Sequence, residues 1–434
     1  MNFDRSRALQ LRLEQLVPGG GHTYAKGADQ YPELSPGVIS HGQGCHVWDA
    51  DGNEFIEYGM GLRAITLGHA YAPVVEAVQN ALALGTNFTR PAAMEVECAE
   101  KFLEVIGGAD MVKFTKDGST ADTAALKLAR AHTGRDMVAI CADHPFFSYD
   151  DWFICTTTMD GGIPDFERSQ TVRFEYDDAA SLERLFQEHS GKIAAVFMEP
   201  ARIEEPTPGY LQTVKALCQK NGAVLVFDEM ITGFRWDLGG AQQLYGVTPD
   251  LSTFGKALAN GFSVSALCGK RELMRLGARG NERENVFLLS TTHGAEVPSL
   301  AAAIATLGVY QSEPVIETLY RQGTRLAAGV QQAIARHGLA DFVSMLGRPV
   351  NLLYSTRGPD KKPSQEFRTL FLQETIRRGI LIPSLVVSYS HTDTDIDRTI
   401  EAIDGALEIY ARALSDGVDR YLIGRPSRPV FGRR

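Results

Sequence analysis

Two uninterrupted apolar runs, Ile193–Met198 and Ala223–Phe227, stand on either side of a helix-like stretch at 209–221. A strand that is apolar on both faces must be covered on both faces, and a parallel sheet sandwiched between helices provides that cover. Met111–Phe114 and Met137–Ile140 extend the set of runs, while helical spacing at 73–84, 94–106, 119–132 and 179–189 supplies the layers between them. The segment 71–325 is therefore expected to be a large α/β domain with a mostly parallel sheet flanked by helices.

A chain of 434 residues exceeds one ordinary core, so a second, smaller domain is expected. Residues 1–70 should contribute a helix closed by Pro18 and then a hairpin, with strands at 37–40 and 46–49 and a turn at Asp51-Gly52 leading into 54–58. Residues 326–434 should form the rest of a small α+β domain, with a closing helix at Ile396–Ala413 and a basic tail from Arg425 reading as a solvated terminus. A formal net charge of −10 argues against nucleic acid as a partner. No apolar stretch is long enough to span a bilayer, and the charged N-terminus does not resemble a signal peptide. Six scattered cysteines without a CxxC pair suit reduced thiols and a cytoplasmic location. His41, Cys45 and His46 match no usual metal-ligand spacing, so no metal is expected.

The carboxyl ends of strands are where open α/β sheets hold their ligands, and here those ends carry chemistry in series. Asp117-Gly118-Ser119-Thr120 opens a helix whose first N–H groups, with the hydroxyls of Ser119 and Thr120, suit a phosphate; an ordinary helix cap is the alternative. Phe146 could stack on a planar ring or be core. Glu199 and Asp228 end successive runs, Met230 follows, and Lys256 stands in Thr253-Phe254-Gly255-Lys256. A lysine beside a carboxylate at adjacent strand ends meets the two needs of pyridoxal 5'-phosphate (PLP). The amine holds the cofactor as a Schiff base and the acid keeps its ring nitrogen protonated.

The string Phe227-Asp-Glu-Met-Ile-Thr-Gly-Phe-Arg235, together with Gly255-Lys256 and Trp48-Asp-Ala-Asp-Gly52, resembles the class III PLP-dependent aminotransferases of fold type I. Within them it is similar to glutamate-1-semialdehyde 2,1-aminomutases and related aminotransferases, and Leu67-Gly68-His69-Ala70 and Asp395–Thr399 fit as well. The resemblance implies that Lys256 is the Schiff-base lysine and Asp228 the partner of the pyridine nitrogen. It assigns Gly118, Ser119 and Thr120 to the phosphate and Phe146 to the ring face. From their own places after strand ends, Glu199 and Met230 are expected as further cofactor contacts, with core packing the alternative for Met230. Thr292 would reach the phosphate of a neighbouring subunit's cofactor, which implies a homodimer with shared sites.

Departures from the aminomutase bear on substrate. Lys26 occupies the place of a carboxylate-binding arginine, and a lysine lacks the planar fork of a guanidinium. The segment Ile382–His391 is shortened and contains no carboxylate. The expected function is amino transfer from a small amino donor to a carbonyl acceptor, such as a sugar-like or phosphorylated intermediate of polysaccharide or specialised metabolite biosynthesis, with Lys26 and Arg63 recognising an anionic substrate. The alternatives are an intramolecular aminomutase, with 156–170 as its gate, and a non-catalytic PLP-fold binding protein.

Overall fold

A computed structural model describes residues 1–144, 146–280 and 286–430. The chain divides into two compact units, one built from Met1–Tyr71 and Glu317–Val430 and the other from Ala72–Ile316.

In chain order the strands are β1 (Ile39–Gln43), β2 (His46–Asp49) and β3 (Glu54–Glu57), followed by β4 (Met111–Thr115), β5 (Met137–Cys141), β6 (Thr171–Phe174), β7 (Ile193–Met198), β8 (Val224–Asp228), β9 (Leu251–Phe254) and β10 (Ser265–Gly269). β11 (Val343–Leu346), β12 (Leu353–Thr356) and β13 (Ile380–Leu381) complete the set.

The Ala72–Ile316 unit holds a seven-stranded sheet ordered β4-β10-β9-β8-β7-β5-β6. The pairs β5·β6, β5·β7, β7·β8 and β8·β9 are parallel, whereas β10 runs antiparallel to both β9 and β4. The reversal has a simple cause. A parallel return needs a crossover of about a dozen residues or more, and only 255–264 separate β9 from β10. β5, β7, β8, β9 and β10 are buried along their whole length, as continuous apolar runs require. One core cluster packs Ala125, Leu128 and Ala129 of the helix Gly118–Thr133 against Val138, Phe197 and Val226. A second, on Leu182, Val214 and Leu217, packs against Ala139, Val196 and Leu225. Alternate residues of each strand thus serve opposite helical layers.

The other unit contains the four-stranded sheet β1-β2-β3-β13 and the hairpin β11-β12. Its last helix, Asp393–Asp416, starts from a capping box in which Thr392 Oγ1 accepts from Asp395 N while the Asp395 carboxylate accepts from Thr392 N at 2.9 Å. Cys45, His46 and Asp395 offer ligand atoms within 4.8 Å of one another. Asp395 is already occupied: Cys45 Sγ donates to it at 3.4 Å and His46 Nε2 lies 3.2 Å away, besides the cap. The basic tail departs from the solvated terminus expected of it. Arg428 N donates to Asp29 O at 2.8 Å, Arg425 Nη2 to Ala28 O at 2.9 Å, and buried Ser427 bonds Thr369. No helix of the described residues is long and apolar enough to cross a membrane.

Candidate active site

Because β4, β5, β7, β8 and β9 point the same way, the residues that follow them share one edge of the sheet. The expected residues Gly118, Ser119, Thr120, Phe146, Glu199, Asp228, Met230 and Lys256 all lie in this unit at that edge.

Asp228 ends β8 with its side chain buried, and its Oδ1 accepts from Met230 N at 2.7 Å. Glu199, one residue past β7, is buried beside it. A residue that the sequence reading passed over joins them. His144 Nε2 lies 3.2 Å from Glu199 Oε1 and 4.0 Å from Asp228 Oδ2, without hydrogen-bond alignment to either. Phe146 N donates to His144 Nδ1 at 3.1 Å, so the ring proton belongs on Nε2, facing the carboxyls. Phe147 stacks on this imidazole, with centroids 3.4 Å apart, and is itself buried among Trp152, Phe153 and Phe197. Phe146, the residue assigned to the ring face, is 41% exposed and meets Phe153 edge-on.

The charges decide the protonation states. Burial is the largest influence on Asp228, and with the nearby Glu199 charge it lifts the carboxyl to about 6 against the pull of His144 and Lys256. Burial also pushes Glu199 upward, but the adjacent His144, then Lys256 and Arg202, outweigh it and hold that carboxyl below its ordinary value. Asp122 was also overlooked. It is fully buried on the helix Gly118–Thr133, and its Oδ1 accepts from Thr253 Oγ1 at 2.6 Å. The available signal was its phase: with Ala125, Leu126 and Ala129 it shares the helix's apolar face, where an aspartate is out of place.

Lys256 opens a 3-10 turn directly after β9, with φ of 43°. A non-glycine residue in the left-handed region is strained, and such strain collects where function requires a particular side-chain direction. Its charge is felt at Asp122, Asp228 and Glu199. Met230 is buried, and its Sδ would lie 2.9 Å from a Cβ on Gly118 and 2.7 Å from one on Gly255. The absence of a side chain at both points lets the phosphate turn and the lysine turn close on the same methionine.

At the phosphate turn, Asp117 caps the helix by accepting from Thr120 N at 2.8 Å. Thr120 Oγ1 donates to the same carboxylate and neighbours Tyr149 OH at 3.1 Å. Ser119 Oγ accepts from Tyr149 N at 3.2 Å. The N–H groups of Gly118 and Ser119, at the very start of the helix, precede its own ladder and are the ones left for an anion. Lys116 is turned elsewhere, to Glu296 at 2.7 Å and Ser299 at 3.2 Å.

Thr292 is exposed, and its carbonyl accepts from Asn87 Nδ2 at 2.9 Å. Lys26 and Arg63 belong to the other unit. Lys26 is exposed, and Arg63, at φ 73°, donates from Nε to Asn351 Oδ1 at 2.7 Å. The segment considered as a gate is closed on itself, since Arg168 Nη2 donates to the carbonyls of Asp160 and Ile163 at 3.0 and 2.9 Å.

A ring with a basic nitrogen, a phosphate and an aldehyde fits these residues. An unmatched imidazole N–H and two buried carboxyls stand at the ends of β5, β7 and β8, free helix N–H groups follow β4, and a strained lysine turn follows β9.

Comparison with known proteins gives the same reading. The family model for class-III aminotransferases matches residues 27–404. A 3-aminobutyryl-CoA aminotransferase of Cloacimonas acidaminovorans (strain Evry) is 32% identical over 417 residues, covering 94% of this chain and 97% of that protein. A glutamate-1-semialdehyde 2,1-aminomutase of Desulfitobacterium hafniense (strain Y51) is 32% identical over 425 residues, covering 92% and 96%. Among solved structures, the FumI protein of Sphingopyxis sp. MTA144 in a PLP-bound form superposes with a TM-score of 0.86 at 29% identity, covering 95% of this chain and 97% of that one.

Proposed function

The chain belongs to the class-III aminotransferase family, and we propose that it is a PLP-dependent enzyme moving an amino group from a small amino donor to a separate carbonyl acceptor. The observation that carries this reading is the grouping of Asp228, Glu199, His144 and Lys256 at one sheet edge, beside a helix start able to take a phosphate.

When bound, PLP supplies an aldehyde that takes up an amino group and a protonated ring that withdraws electrons from it. Gly118 and Ser119 would hold the phosphate through their N–H groups. Asp228 would hold the proton on the ring nitrogen, and Glu199 with His144 would line the same ring. Phe146 and Met230 remain proposed ring contacts, and Thr120 acts by keeping Asp117 turned into its cap. Lys256 anchors the cofactor. Its Nζ, once freed, would serve as the base for the proton on the donor's α-carbon and as the acid that gives that proton up again during the transfer.

We place Lys26 and Arg63 in recognition of an anionic group on the substrate, which suits a phosphorylated or acidic carbonyl compound. A cytoplasmic location belongs to the same proposal, supported by six unpaired cysteines that suit a reducing compartment. The similarity to an aminomutase favours a second reading, internal amino transfer within one amino-carbonyl compound. Single-turnover spectroscopy of the PLP-loaded protein separates the two. Bleaching of the PLP absorbance by an amino donor alone, and its recovery with a carbonyl acceptor, is expected. Rearrangement of glutamate 1-semialdehyde with no donor half-reaction would replace amino transfer by the mutase reading.

We also infer a homodimer in which Thr292 reaches the phosphate held by the other subunit. Losing that one hydrogen bond in Thr292→Val should weaken PLP binding by about tenfold. Mixing Thr292→Val subunits with inactive Lys256→Ala subunits should restore activity at limiting PLP, because each mixed dimer rebuilds one intact site. No gain on mixing would rule out sharing.

A further inference from the structure

Asp122 does no work in the mechanism above, yet it is fully buried at its centre. Thr253, the register partner of Asp228 across β8 and β9, donates its hydroxyl to Asp122 Oδ1, which places the two carboxyls as neighbours, while Oδ2 of Asp122 meets no donor. Two neighbouring, fully buried carboxyls resist carrying two charges, so one of them keeps a proton. The surroundings decide which. Asp228 has the Met230 N–H and the nearby His144 and Lys256 to support a negative charge. Asp122 has a single hydroxyl, with the Lys256 charge a lesser influence.

We propose that Asp122 is a proton-bearing carboxylic acid that donates to the Asp228 carboxylate, making it a positioning residue that sets how firmly Asp228 holds the proton of the cofactor's ring nitrogen. This rests on the PLP reading above for its functional half only. Burial, and after it the Asp228 charge, lift the Asp122 carboxyl well above the usual carboxylate range, in keeping with the geometry. The Thr253 hydroxyl on Oδ1 marks that atom as the carbonyl oxygen, which leaves Oδ2 to carry the proton. A neutral donor spreads the charge of Asp228 and lowers its appetite for the ring proton. The balance then favours pyridinium beside carboxylate over pyridine beside acid. The three buried carboxyls Asp122, Asp228 and Glu199 face one lysine and one imidazole, and retaining a proton on Asp122 keeps that group from excess negative charge.

The test has two arms. Infrared spectra of the PLP-free protein at pH 7 should contain a protonated-carboxyl stretch that Asp122→Asn removes and Thr253→Val shifts to higher frequency, through loss of the bond to Oδ1. Any band from Glu229, whose carboxyl burial lifts to about 7, should persist in both variants. With ¹⁵N-labelled PLP bound, the ring-nitrogen resonance should stay near its wild-type position in Asp122→Asn, which retains an N–H donor. In Asp122→Leu, which has none, it should move toward the unprotonated position. A protein whose carboxyl band is indifferent to Asp122→Asn, or a ring nitrogen unmoved in Asp122→Leu, overturns the proposal. Failure of the wild type to bind PLP would instead overturn the functional reading, and the infrared arm would still decide where the buried proton sits.

Discussion

Lys256→Ala lowers amino transfer by about 10⁴-fold or more, because the variant loses both the anchoring amine and the proton carrier. The protein should still fold. Lys256 begins a short turn rather than filling the core, and alanine leaves the backbone contacts of 255–264 in place. PLP should still be retained by the phosphate turn and the ring contacts, but no longer covalently. Borohydride fixes the cofactor to wild-type protein and fails to do so in the variant. Added methylamine should restore part of the rate, by resupplying an amine where the side chain stood. Covalent fixation surviving in Lys256→Ala would move the anchor to another lysine and undo the assignment.

Asp228→Asn separates catalysis from stability, with opposite signs. An amide offers no negative charge to hold a proton on the ring nitrogen, so turnover should fall by about 10²–10³-fold, the scale seen when one preorganised electrostatic contact is removed. In the PLP-free protein the same change should be stabilising at alkaline pH. Burial raises the Asp228 carboxyl to about 6, above the ordinary aspartate range. The native state therefore holds its proton more tightly than the unfolded chain does. That contribution to stability is full below the unfolded value and is lost as pH rises through about 6. By pH 8 the wild type carries a buried charge whose burial its partners only partly offset, a cost on the order of 3 kcal/mol. Asparagine avoids that cost while keeping an oxygen for Met230 N. Denaturation of both PLP-free proteins at pH 8 and pH 4 checks this, with the variant's advantage expected to vanish at pH 4. Equal stability at pH 8 would mean that Asp228 is not ionised against its surroundings.

The sheet was legible in the sequence where buried strands are long and rich in β-branched residues. Ile193–Met198 and Val224–Asp228 are unbroken apolar runs, and each delivers a carboxylate to the same edge. β6 was not legible, since Thr171–Phe174 is a four-residue edge strand with only Phe174 buried. Nor was the antiparallel β10, where Ser265-Ala-Leu-Cys-Gly269 has little of the β-branched character that marks a strand. At the site, Asp228 and Lys256 stand out because both follow strands. Asp122 stayed hidden because an aspartate in the first turns of a helix ordinarily reads as a partner of the helix dipole. His144 was masked by the aromatic residues after it, although its own place just past β5 put it at the correct edge. The ties of the tail from Arg425 to Ser427 run to residues 28 and 369, far away in sequence, so no local pattern could announce them.

The short link between β9 and β10 has a kinetic consequence. Residues 255–264 are held at both ends by adjacent strands of one sheet. Lys256, second in this link, has little backbone freedom left to lose, and its amine, once freed, would stay within one side chain's length of the carbon it had held. Its effective molarity there exceeds anything free amine in solution could match. The same confinement that denies β10 a parallel crossover would thus allow one side chain to serve first as anchor and then as proton carrier without leaving its place.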